Sequence, residues 1–214
     1  KLGEYFAALV AARRKNPGDD LASALITASV DGEYLPEEVI ISFLRQLVNA
    51  AGDTTFRGTS VFLTGLLSDP KQLDALRRDR SLMPQAIEEA LRWESPVAST
   101  VRQATRDTEL GGHKVRKGDR IYAVIGSANR DERYFPDPDR FDILRPRTHR
   151  NIAFAIGPHI CLGQHLARLE MTRAVNAILD RLPNLRWDED EPAARMSGGV
   201  LVGRGPDALH VRFD

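Results

Sequence analysis

The feature that most limits how this chain can fold is a helical pattern that runs without a clear stop from Pro36 to about Leu67. At 1.5 Å per residue, roughly 32 residues make a rod of about 48 Å, longer than a small domain is wide. Pro36 suits the first helical position, and Glu37 and Glu38 suit the positive end of the helix dipole. The centre of the rod, VNAAGDTT, breaks the apolar pattern. Gly52, Asp53, Thr54 and Thr55 are mediocre or poor helix formers, and a polar pair beside a glycine tends to loosen the i to i−4 ladder. Shorter helical patterns flank it. They cover 2–15, 21–28 with Asp20 as cap, 70 to about 78 after Asp69, and 83 to about 94, ending before Pro96.

Beyond Pro96 the texture changes. Within 98–125, the segments 98–104, 108–110, 113–115 and 120–125 read as short strands, with turns at Gly111-Gly112 and Lys117-Gly118-Asp119. Residues 129–150 are charged, proline-rich and irregular. A glycine-bearing loop, 154–163, leads into a helix ending near 182, for which Leu162, Leu166, Leu169, Ala174, Ile178 and Leu182 form the expected buried stripe. The tail, 195–213, reads as two short strands around Gly205-Pro206-Asp207. The fold class is mainly α with a minor β part. No repeat or clean linker divides it, so 1–214 is expected to be a single partial domain.

Composition excludes several function classes. Thirty basic and thirty acidic residues leave no net charge, a poor basis for nucleic-acid or anionic-membrane binding. No apolar run approaches the roughly 20 residues of a membrane span, and no signal-peptide pattern opens the chain. One cysteine, Cys161, allows no intrachain disulfide, so a reducing cytoplasm is the default expectation.

That cysteine lies in Phe154-Ala-Ile-Gly157-Pro-His159-Ile-Cys161-Leu-Gly163-Gln-His-Leu-Ala-Arg168. A lone cysteine is most often an inert core residue. Here it stands just before a helix, where free backbone N–H groups and the positive dipole end favour a thiolate. Gly157 permits a tight turn, and Gly163 permits close approach of something flat and large. Phe154 offers an apolar wall, and His159 a donor two residues from the sulfur.

The stretch matches F-x-x-G-x-[H/R]-x-C-x-G at every fixed position and resembles the cysteine-ligand loop of cytochromes P450. The resemblance implies haem b (heme b, iron protoporphyrin IX) with Cys161 as its iron ligand. It also implies a propionate partner in His159, and a thiolate whose electron donation favours O–O cleavage. A zinc or nucleophilic-cysteine reading has little support, because no Cys/His set has ligand spacing.

Glu89 and Arg92 stand three apart on one helical pattern and share a face. Alone they would read as a surface pair. Followed by N-R-D-x-x-x-F-P-D-P-D-R-F and then the cysteine loop, they resemble the P450 core, where a Glu and an Arg lock onto an arginine of the meander. Arg140 is the expected third member, and Arg102 resembles the arginine that meets a haem propionate. In the long helix, Ala50-Ala51-Gly52-Asp53-Thr54 resembles the oxygen-activation motif. Thr54 would hydrogen-bond the oxygen being reduced and Asp53 would relay protons, since heterolytic O–O cleavage needs protons at the distal oxygen. The bland alternative is a kink with a back-bonded threonine. By the same resemblance Asn49, Ala50, Val97, Ala98, Ser99, Val200 and Leu201 would touch a small, apolar organic substrate.

The resemblance extends over nearly the whole chain, but family members are roughly twice as long. The chain therefore looks like the C-terminal, haem-side half of the P450 fold. The other half would hold the substrate lid, and without it the distal face would be open to water. Three readings of the length stay open: part of a longer enzyme, a proteolytic or genetic fragment, or a half that pairs with another chain. The implied activity is monooxygenation with O2 and electrons from a ferredoxin- or flavodoxin-like donor. The alternatives are a peroxide-using haem-thiolate enzyme, against which the Asp53-Thr54 pair argues, and an inactive haem-binding or interaction fragment.

Overall fold

Local capping decides where the first helices begin. In the computed structural model, which describes residues 1–146, 148–199, 201 and 203–214, α1 (Leu2–Lys15) stops at Asn16, just ahead of Pro17. Then α2 (Leu21–Thr27) opens on Asp20, whose carboxylate accepts the Ser23 backbone N–H at 2.8 Å. Asp31 and Gly32 both adopt positive φ, 54° and 87°. They turn β1 (Ser29–Val30) back onto β2 (Glu33–Tyr34), a two-residue hairpin of the type whose twist needs that conformation.

The rod expected from the sequence is α3 (Glu37–Ser68), 32 residues long. The polar break at its centre does not interrupt it. Hydroxyls farther along return to the helix backbone, Thr59 to the Thr55 carbonyl and Thr64 to the Ser60 carbonyl, each at 2.9 Å. Propensity is a weak prior that packing overrides, and the apolar residues on either side hold the helix. The described residues divide into two compact units, Lys1–Asp53 and Thr54–Asp214, and the division falls within α3. The first unit buries Phe6, Val10, Ala22, Ile40 and Leu44 as its core.

In the second unit α4 (Pro70–Arg78) is capped by Asp69, which accepts the Lys71 N–H at 3.1 Å. Next come α5 (Met83–Trp93), β3 (Thr100–Gln103), β4 (Thr108–Leu110), β5 (His113–Val115), β6 (Arg120–Ala123), α6 (Ile125–Ala128) and α7 (Gln164–Arg181). The antiparallel pair β3–β6 encloses the hairpin β4–β5. The tail carries more pairing than its pattern indicates. After β7 (Arg186–Trp187), β8 (Met196–Ser197) pairs with β9 (Gly205–Pro206), while β10 (Val211–Arg212) returns to β7.

The second core is built from Phe62 and Leu66 of α3, Leu73 and Leu76 of α4, Met83, Ile87 and Leu91 of α5, Phe141 and Ile143, and Met171, Val175 and Leu179 of α7. The buried row of α7 is only partly the one its sequence indicates: Ile178 and Leu182 pack against this core, while the N-terminal leucines do not. Leu162, Leu166 and Leu169 are 74%, 55% and 52% exposed. Periodicity reveals an apolar face without saying what covers it, and this helix has two. Met171 packs toward Gly58 of α3, where an added Cβ would lie 3.5 Å from its sulfur.

Two outcomes follow from this packing. At Gly65 an added Cβ would come within 2.8 Å of the Phe141 ring, itself buried against Trp93. We expect Gly65→Ala to cost about 1–3 kcal/mol, read from the denaturant midpoint. The Ser23 backbone N–H, and after it the Arg13 guanidinium, hold the Asp20 carboxyl down at about 2. A depressed carboxyl contributes stability that is in place above its unfolded pKa of about 4 and is lost as pH falls through the folded value. The protection of the Ser23 amide, its exchange rate relative to that of an unstructured amide at the same pH, is expected to hold down to pH of about 4 and to fall toward 2.

Candidate active site

One helix organises the site. Glu89 and Arg92, one turn apart on α5, form an ion pair at 2.7 Å with side chains only 4% and 3% exposed. Charges so deeply buried persist only when every hydrogen-bonding position is filled. Arg92 fills its own by donating to the carbonyls of Asn129, Pro138 and Arg140 at 3.1, 2.8 and 3.1 Å. Glu89 accepts the Asp142 backbone N–H at 2.9 Å and the Arg145 guanidinium at 3.1 and 3.2 Å. Arg145 spends its remaining donors on the carbonyls of Pro136, Asp137 and Arg140. The irregular segment thus wraps its carbonyl oxygens inward around two guanidinium groups.

The expected third member is thereby corrected. The Arg140 side chain is 66% exposed and faces Asp142 at 3.8 Å, and only its carbonyl joins the network. Arg145 takes the place. A segment without a period gives no register from which to choose among its arginines. The choice is made by Phe141 and Ile143, whose burial sets how the chain turns.

The same platform reaches the cysteine loop. Asn129, almost fully buried, donates to Ser95 Oγ at 3.0 Å and accepts the Ile152 N–H at 2.8 Å. Across the base of the loop the Cys161 N–H donates to the Phe154 carbonyl at 2.8 Å, and Ile160 N–H to the Gly157 carbonyl at 3.0 Å. Ala155 and Gly157 adopt positive φ, 59° and 76°, which curls the loop back on itself. Cys161 stands exposed three residues before α7. Around it Ile156, Ile160, Leu162 and Leu166 are also exposed, an apolar grouping of the kind that marks a binding surface.

The other expected residues fall as follows. His159 is exposed in the 3-10 turn Gly157–His159. Arg102 is exposed on β3, opposite Ile121, with its guanidinium on the Val101 carbonyl. Among the described residues neither has a carboxylate within ion-pair distance of its side chain. Asn49, Ala50 and Asp53 are exposed residues of the first unit, and Thr54, half-buried, opens the second. Val97 and Ala98 are half-buried and Ser99 is buried. The Ala98 and Ser99 N–H groups donate to the Leu201 carbonyl at 3.0 and 3.4 Å, which brings those two segments together. Val200 lies outside the described residues.

Comparison with known proteins agrees with this arrangement. The family model for Cytochrome P450 matches residues 7–209. Cytochrome P450 107B1 of Saccharopolyspora erythraea is 43% identical over 210 residues, spanning 98% of this chain and 51% of the relative. Steroid C26-monooxygenase of Mycobacterium tuberculosis is 40% identical over 211 residues, spanning 98% and 56%. The crystal structure of CYP109E1 from Bacillus megaterium in complex with testosterone matches with a TM-score of 0.93 at 34% identity, covering 100% of this chain and 58% of that one. The chain belongs to the cytochrome P450 family, whose members hold haem b through a cysteine thiolate. It spans about half the length of the curated relatives it matches. Among the described residues no helix is long and apolar enough to cross a membrane.

The residues present fit that cofactor. A Cβ at Gly163 would touch only the Cys161 sulfur, at 4.0 Å, and one at Gly157 would meet nothing within 4 Å. With φ of −82° at Gly163, neither backbone strain nor the chain's own packing calls for glycine there. The space beside the sulfur is open, so a flat group could lie there.

Removing the Glu89 carboxylate would leave two guanidinium groups without their anion. We expect Glu89→Ala to cost about 3–5 kcal/mol and Arg140→Ala to stay within about 0.5 kcal/mol of the parent. Equilibrium unfolding of both variants distinguishes the Arg145 assignment from the Arg140 one.

Proposed function

We propose that Cys161 is the axial ligand of a haem b, and that the protein this chain belongs to is a haem-thiolate monooxygenase. It would place one atom of O2 in a small, apolar organic molecule and release the other as water. The observation that carries this reading is the setting of the Cys161 sulfur. It is exposed, flanked in sequence by the exposed Ile156, Ile160 and Leu162, and a Cβ at Gly163 would meet only this sulfur; the loop that carries it is joined through Asn129 and Ile152 to the segment held by the Glu89–Arg92 pair. Bound there, a thiolate-ligated haem would supply O2 activation, the sulfur's electron donation favouring O–O cleavage.

The chain's own residues then have distinct tasks. Phe154, Gly157 and Gly163 shape the loop around the sulfur. His159 and Arg102, cationic or hydrogen-bonding groups without carboxylate partners among the described residues, would meet the propionates. Glu89, Arg92 and Arg145 hold the platform. On α3, the Thr54 hydroxyl can donate and accept at one atom, so Oγ1 would hold a proton where oxygen is reduced. The Asp53 carboxylate, exposed and adjacent in sequence, would replace that proton from solvent. Asn49, Ala50, Val97, Ala98, Ser99 and Leu201, mostly small or apolar, would bound the substrate. The name of the steroid C26-monooxygenase and the testosterone held by CYP109E1 support an apolar molecule of that size class. Electrons would arrive singly from a ferredoxin- or flavodoxin-like protein in the cytoplasm.

Spectroscopy and turnover of the full-length protein test this reading. The reduced protein with CO is expected to show the strongly red-shifted, thiolate-type Soret band, and Cys161→Ser to abolish it. Thr54→Ala is expected to lower product formation about 10²-fold while electrons and O2 are still consumed. Undiminished product from Thr54→Ala would remove the proton role. Turnover with added peroxide but none with a reductase would favour the peroxide-using alternative.

A further inference from the structure

Glu88 is the neighbour of Glu89 on α5, yet its carboxylate serves the cysteine loop instead of the meander. Its Oε1 accepts the Arg168 Nε–H at 2.5 Å. Its Oε2 and its backbone carbonyl accept from Asn151 Nδ2 at 2.9 and 3.2 Å. Asn151 lies three residues ahead of Phe154, and Arg168 seven residues beyond Cys161. One carboxylate therefore fastens the chain on both sides of the loop.

The two anchors continue inward. Asn151 Oδ1 accepts the Ala153 N–H at 3.0 Å. The Arg168 guanidinium lies over the Phe154 ring, 4.4 Å from its centroid, and its Nη1 donates to the carbonyl and side chain of Gln164 at 3.2 and 3.1 Å. Phe154 in turn accepts the Cys161 N–H through its carbonyl. A connected path thus runs from the Glu88 carboxylate through the Arg168 plane and the Phe154 ring to the cysteine backbone. The geometry of a flat, delocalised cation on an aromatic face is specific to arginine, because a lysine keeps the charge and loses the stack.

We propose that Glu88 and Arg168 are positioning residues for Cys161. Their ion pair holds the guanidinium flat on Phe154, and the stacked Phe154 fixes the backbone that carries the sulfur. The inference rests on the reading of Cys161 as the haem ligand. Partners that orient a metal ligand from outside its coordination shell are typically worth 10–100-fold in affinity. A plain tie between α5 and α7 would affect stability alone.

The test uses the full-length, haem-loaded protein and the variants Glu88→Gln, Arg168→Lys and both together. The readouts are haem dissociation, the ferric/ferrous potential and the band of the reduced CO complex. Each single variant is expected to weaken haem retention about 10–100-fold and to shift the potential in the same direction. Each is also expected to convert part of the CO complex to the thiol-type band. The double variant is expected to do no more than either single one, because both act through one stack. Parent-like haem retention, potential and CO band, with only the melting temperature lowered, would overturn the proposal. Should Glu88→Gln fail to fold, Arg168→Lys decides, since it keeps the charge and removes the plane together with the Nη1 bonds to Gln164. A parent protein without a thiolate-type band would instead overturn the assignment of Cys161, which separates the failure of that reading from the failure of this one.

Discussion

The structure around Cys161 depends on a carboxylate held out of water between two guanidinium groups. Glu89 is nearly inaccessible, and so is Arg92. Removing such charges from water costs several kcal/mol each, and their attraction offsets this only if every remaining donor and acceptor is matched. The matching groups are backbone carbonyls of Asn129, Pro136, Asp137, Pro138 and Arg140. A segment with no repetitive structure of its own is thereby given one conformation. Its carbonyls must point to α5, and Phe141 and Ile143 must enter the core.

From that segment the order passes to the cysteine. Asn129 joins the end of α5, through Ser95, to Ile152. Glu88 joins Asn151 to Arg168. The loop between them is left with its apolar side chains and its sulfur outward, an arrangement that would be costly on a surface with no binding role. Six consecutive residues of one short helix thus serve the core through Ile87 and Leu91, the meander through Glu89 and Arg92, and the loop through Glu88.

Much of this was legible in the amino-acid sequence, and the rest was not for identifiable reasons. Helix starts were legible because Asp20 and Asp69 cap through contacts two or three residues away. The cysteine loop and the Glu89–Arg92 pair were legible because fixed spacing carries them. Arg145 was hidden because an irregular segment has no periodicity from which to read an inward face. Glu88 and Arg168 were hidden because their partners lie 80 residues apart in the chain, and each alone resembles an ordinary surface charge. The stripe on α7 was half right: Ile178 and Leu182 pack on the core, but Leu162, Leu166 and Leu169 pattern as a buried face and are exposed, while Met171, Val175 and Leu179 take the core side among the described residues. The pairing of β10 with β7 escaped for the same reason as Arg145, two-residue strands being too short for alternation to show.

That the charge network and the cysteine loop form one cooperative unit built on α5 is tested most directly by amide hydrogen exchange of the parent protein, resolved by residue. The amides of Asp142, Ile152 and Cys161 are each held by a hydrogen bond within this network or loop. If the unit is cooperative, they open with the same free energy as the amides at the centre of α5. Exchange at Cys161 and Ile152 through a separate, lower-energy opening, with α5 still protected, would contradict it.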